Sequence, residues 1–161
     1  MSKGLDAARE FGERLPRFSN LAEAEPALFR ERDRVLDLLR AASRVRPGFA
    51  FDLSPASLKQ LEPWYFSSVE GPGAEAAGLD RTTLEWAVAM YFGAVVVQHC
   101  PPFAWVVTEF PFLAGRYEIG IERPLYRRSL TLGIDLTARP NNRRQQSLWR
   151  DYRACARGDG G

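Results

Sequence analysis

Histidine and cysteine are scarce in this chain, with one His and two Cys among 161 residues. Two cysteines cannot make a disulfide framework, so Cys100 and Cys155 are expected to be reduced thiols of a cytoplasmic protein. Zinc needs three or four ligands, and one His with two widely spaced Cys supplies no such set. Neither a metal nor a cofactor is expected. His99 and Cys100 are neighbours, but adjacent residues on a helix point about 100° apart, so they cannot meet as base and nucleophile. Long apolar runs are missing too. The longest, Trp86 to Val97, is far short of the roughly 20 residues that span a bilayer. Residues 1–10 lack a basic segment followed by an apolar one, so no secretory signal is read and no membrane partner is expected. There is no GxSxG, P-loop, GxGxxG or HExxH pattern, which leaves enzymatic activity without a supporting motif.

Aromatic residues are plentiful: ten Phe, five Tyr and four Trp. With 45% apolar content they argue for one globular domain over residues 1–161 and against disorder. Within it, "EGPGAEAAG" at 70–78 reads as a loop and 158–161 as a disordered tail. The net charge of +2 is unevenly spread. Residues 1–60 carry 11 basic and 9 acidic side chains, residues 61–122 carry 2 and 8, and residues 123–161 carry 9 and 3. Either the acidic middle and the basic end attract each other within the fold, or one offers a charged face to a partner.

The N-terminal half reads as helical. Leu5, Ala8, Phe11 and Leu15 share a face that Pro16 closes. "EAEPALFRERDRVLDLLRAASRV" has acids and Pro26 suited to a first turn, a stripe of Leu28, Val35, Leu36, Leu39 and Ala42, and a stop at Pro47-Gly48. Its Arg30, Glu31, Arg32, Asp33 and Arg34 mix both signs, as a solvated face does. "LSPASLKQLEP" predicts a short helix with Ser54 as N-cap, Pro55 in the first turn and Pro63 as its end. Trp64, Tyr65 and Phe66 then read as a core plug.

Asp80 or Thr82 caps the next helix, the latter with Glu85 as a capping box. From Leu84 to Val97 it is apolar all round, the mark of a buried helix. Gly93 in its middle is tolerable if something approaches the backbone closely there. His99 would then interact with the last carbonyls of its own helix, beside a buried Cys100 thiol.

After Pro101-Pro102 the period changes to two. "FAWVVTE", "RYEIGIE" and "SLTLGIDL" read as strands. With "RPLYRR" as the turn, one register sets Tyr117 opposite Ile134, Ile119 opposite Leu132 and Ile121 opposite Leu130, with Arg116 against Asp135. A shift by two residues keeps the faces but loses that ion pair. Asn141 or Asn142 caps a last helix with Leu148, Tyr152 and Cys155 inward, Trp149 beside them, and Gly158 as its end. The fold expected is α+β: N-terminal helices and a central buried helix on one face of a small antiparallel sheet of about three strands, with a C-terminal helix.

Glu118 and Glu122 share a strand face but stand roughly 13 Å apart, beyond the separations that paired carboxylates use in glycoside hydrolysis. An enzyme site around Glu118, Glu122 and Tyr117 would need a pocket over the sheet. The C-terminal helix carries the more suggestive surface, where Arg139, Arg143, Arg144, Arg150, Arg153 and Arg157 stand against Asp151 alone. Arginine forks carboxylates and phosphates well. These arginines can be a solvated face, dock on the acidic middle, meet an acidic protein partner, or meet nucleic acid. The last usually wants interleaved aromatics, and here Trp149 and Tyr152 are needed for the core.

From about residue 79 to 135 the succession "MYFGAVVV", "FAWVV", "YEIGIE" and "SLTLGIDL" resembles small bacterial proteins of unknown function and of toxin-immunity type. In these a buried helix with a YxG centre precedes a short loop, a Trp-bearing strand and a β-hairpin. Many of them place an acidic residue just after the glycine, where this chain has Ala94. The resemblance implies a non-enzymatic cytoplasmic module that binds another protein. The residues offered for that contact are Arg143, Arg144, Arg150, Arg153 and Arg157, and a nucleic-acid accessory protein using the same arginines is the alternative.

Overall fold

A computed structural model of the protein describes residues 2–70, 79–130 and 146–158. The expected loop beyond Glu70, the strand beyond Leu130, the caps Asn141 and Asn142, and the tail beyond Gly158 lie outside the described residues. Those described form helices α1 (Ser2–Glu13), α2 (Leu21–Val45), α3 (Ser57–Glu70), α4 (Arg81–His99) and α5 (Ser147–Arg157). They also form strands β1 (Ala104–Glu109), β2 (Tyr117–Arg123) and β3 (Tyr126–Ser129), antiparallel in the order β1-β2-β3. The fold is α+β, as expected.

The centre is α4. The Asp80 carboxylate accepts from the Thr83 N–H at 2.7 Å and caps the helix. That leaves Glu85 to accept from the Tyr65 hydroxyl at 2.7 Å and Arg81 at 3.0 Å. Leu84, Met90, Tyr91, Phe92, Val95 and Val96 are all buried. A Cβ on Gly93 would lie 2.6 Å from Trp105 Cη2 and 2.7 Å from Leu130 Cδ1. The sheet therefore rests directly on the helix backbone at this glycine. α2 packs alongside through Ala24, Leu28, Val35, Leu39 and Ala42. It starts earlier than Pro26 implies, because Asn20 caps it by accepting from the Glu23 N–H at 2.9 Å. Pro26 consequently sits in the second turn.

Three expectations are corrected. Pro63 does not end α3, which continues to Glu70 and carries Trp64, Tyr65 and Phe66 into the core as buried side chains. A proline inside a helix strips the partner from the carbonyl four residues back, here that of Lys59. That carbonyl accepts instead from Gln146 Nε2 at 3.3 Å, so tertiary contact makes up the loss.

The second correction is the hairpin register. Ile121 faces Arg128 and Gly120 faces Ser129, while the Leu130 N–H donates to the Ile119 carbonyl. This is the two-residue shift. The turn is only Pro124-Leu125: proline sets the first angle and Leu125 takes φ 67, so the strands extend further toward it than "RPLYRR" implied. Beyond Ile119 the same edge of β2 is taken by residues 16–18. The Tyr117 N–H donates to the Pro16 carbonyl, the Phe18 N–H donates to the Gly115 carbonyl, and Arg17 bridges Arg116. The Arg116 guanidinium donates to the Leu15 carbonyl at 2.6 Å, while Ile134 and Asp135, expected opposite Tyr117 and Arg116, lie outside the described residues.

The third concerns α1, where only the C-terminal half of the expected stripe is covered. Phe11 meets the Phe110 ring at 5.5 Å, Leu15 is buried, and Leu5 remains 56% exposed.

Candidate functional site

His99 is exposed, and its Nε2 lies 3.0 Å from the carbonyl oxygen of Leu53, not at the end of its own helix. Leu53 holds φ 58, a left-handed conformation that costs a leucine roughly 1–2 kcal/mol. Its N–H donates to the Tyr91 hydroxyl at 2.9 Å. The Ser57 hydroxyl, 2.6 Å from Tyr91, directs its proton to the Ser54 carbonyl, so Tyr91 donates to Ser57. His99 and Tyr91 together clamp a strained residue from both sides. Burial pushes the Tyr91 hydroxyl pKa up, which keeps it a neutral donor. Burial likewise raises the Cys100 thiol, against a smaller lowering by the Tyr152 hydroxyl, and raises the Cys155 thiol. Both cysteines are free, buried and poor nucleophiles. Among the described residues no cluster of three His, Cys, Asp or Glu stands where it could hold a metal ion.

The carboxylates on the sheet are not brought together as a reactive pair. Glu122 pairs with Arg127 at 3.1 Å, and Tyr117 is buried on the opposite face from Glu118. A cavity of about 410 Å³ does lie at the hairpin end, lined by Pro102, Ala104, Glu122, Arg123, Pro124 and Leu125. Glu62 is the carboxylate that sequence reading missed. It is 1% exposed, and its Oε2 accepts from the Leu148 N–H at 3.2 Å. Gln146 enters α5 at φ 51 with no side-chain cap, so this carboxylate from α3 serves the helix N-terminus. Burial raises the Glu62 pKa, partly offset by the α5 N–H groups.

On α5, Arg150, Arg153 and Arg157 are exposed and share a face at spacings of three and four. Arg143 and Arg144 lie outside the described residues. Asp151 pairs with Arg128 of β3 at 2.9 Å. The Trp149 and Tyr152 rings stack at 5.6 Å, and Lys59 Nζ lies 4.4 Å from the centre of Trp149. The acidic middle meets α5 through Glu62 at the start of the helix.

A larger groove, about 580 Å³, opens at the other end of α4. Pro16, Phe18, Ala27, Leu28 and Trp86 form its apolar wall, with Thr82, Arg14, Arg30 and Glu31 beside them. Glu31 pairs with Arg34 at 2.9 Å and Arg32 with Asp33 at 3.0 Å. Three arginines and two acids in succession leave one over, Arg30. That surplus is countable in the sequence; its position beside Trp86 is not.

Helices α2 and α4 cover one face of a three-stranded antiparallel sheet, with a capped helix bearing exposed arginines at one end and an apolar groove at the other. The described residues thus have an α+β fold. The chain belongs to the family described as Uncharacterised protein YwmA, whose model matches residues 17–156. No curated protein and no solved structure matches it. No helix among the described residues is long and apolar enough to cross a membrane.

Proposed function

We propose that the chain is a non-enzymatic, cytoplasmic protein-binding module, an immunity protein or an accessory subunit of a bacterial competition or defence system. In this reading α5 meets an acidic partner protein, and charge steers the encounter. The observation that supports it is the row Arg150, Arg153 and Arg157, three exposed arginines at helical spacing on one face of α5. Arg143 and Arg144 stand just ahead of this row in the chain. Protein is favoured over nucleic acid because Trp149 and Tyr152 stack on each other, with Lys59 over Trp149, and so are not offered to bases.

The test purifies the tagged protein from its own cells, with and without Arg150→Glu and Arg153→Glu. An acidic protein should co-elute with the unaltered chain and be lost from the variant, while the unfolding free energy stays within about 0.5 kcal/mol of the original. Equal capture by both rejects this face. Nuclease-sensitive capture, with a log–log salt slope near −0.9 per phosphate contacted, would replace it with the nucleic-acid reading.

A further inference from the structure

We infer that the groove between α2 and the N-terminal end of α4 is a binding site for an amphipathic anion, an alkyl carboxylate whose chain lies on the apolar wall. The groove falls within the size range of small-ligand sites, roughly 300–1,000 Å³, at about 580 Å³. Its wall of Pro16, Phe18, Ala27, Leu28 and Trp86 offers an alkyl chain only carbon and ring surface. The charge of its rim has a sign. Glu31 is held by Arg34, whereas Arg14 and Arg30 are exposed and form no ion pair among the described residues. Two unopposed guanidinium groups beside an apolar wall complement a carboxylate joined to a hydrocarbon.

Trp86 adds an independent sign. Among the described residues its indole N–H is buried without an acceptor, so this residue of the groove lining holds an orphaned donor. Thr82 supplies a hydroxyl nearby. This site is separate from the arginines of α5. Thr82 and Cys100 are about 27 Å apart along α4, and α5 packs at the Cys100 end, where Tyr152 bonds the thiol.

The experiment titrates the full chain with sodium decanoate, below its micelle-forming concentration, by calorimetry and by tryptophan emission. Saturable binding is expected to weaken about tenfold in Arg14→Ala with Arg30→Ala, two exposed positions that the fold does not need. Decanol should bind more weakly and equally well to both proteins. Decanoate affinity in the unaltered chain should fall with added salt, whereas that of decanol should not. Ala27→Phe, which fills the groove, should remove both, and Trp86→Phe should remove the emission change. No saturable decanoate binding, or equal affinity in the arginine variant, overturns the site. Either result leaves the α5 reading untouched, since that face is probed by other residues.

Discussion

Gly93 sets two residue-scale effects against each other. In a helix interior, alanine is favoured over glycine by about 1 kcal/mol. A methyl group here would lie 2.6 Å from the Trp105 ring and 2.7 Å from Leu130. Overpacking of that kind costs typically about 1–3 kcal/mol, and the half-buried Trp105 indole, a rigid ring with Arg32 over it, does not swing aside as a flexible chain end can. Gly93→Ala is therefore expected to lower the melting temperature by about 2–4 °C per net kcal/mol lost, read by scanning calorimetry. A rise would mean that Trp105 yields. The sequence made the close approach at Gly93 legible, because a glycine in an all-apolar helix has few other uses. What approaches was not legible, since Trp105 comes from β1 and Leu130 from just beyond β3, both later in the chain. His99 shows the same limit: its place at a helix end could be read, but the carbonyl it bonds belongs to Leu53, 46 residues earlier.

At the scale of elements, α3 and α5 complete each other. Pro63 costs α3 one internal bond, and Gln146 makes it good at the Lys59 carbonyl, while Glu62 serves the start of α5. Gln146→Ala should destabilise the chain by about 0.5–1.5 kcal/mol, with faster amide exchange concentrated in α3 and α5. Exchange faster only at position 146 would show that the contact does not couple them. Glu62 adds a pH dependence of definite sign. Its folded pKa is raised by burial, so the folded state takes up a proton at a pH where the unfolded chain has none. Stability should then increase as pH falls from the raised value to the ordinary one, and Glu62→Gln should flatten that slope in urea melts. A proton on Oε1 leaves Oε2 free to accept from Leu148. The rule that proline stops a helix misread α3 because local sequence shows the lost donor and not the distant amide that replaces it.

For the molecule as a whole, β1 and β2 were legible from their alternation, and so was the helical cover on one face, whereas β3 (Tyr126–Ser129) falls mostly within the stretch read as a turn. The hairpin register was not legible, since its competitor for the edge of β2 comes from residues 16–18, about a hundred positions away. Removing residues 1–18 should bare that edge and lead to concentration-dependent self-association in light scattering. A monomer at every concentration would show the edge to be harmless. The groove escaped the sequence for a similar reason: Arg14, Arg30 and Trp86 belong to three separate stretches. The bond between Gln146 and Lys59 also has a bearing on biosynthesis. The ribosome must add 87 residues after Lys59 before the amide that occupies the notch above Pro63 exists. A nascent chain, or one cut short by a premature stop codon, leaves that carbonyl open, and α3 is the part that chaperones and proteases would meet unfinished.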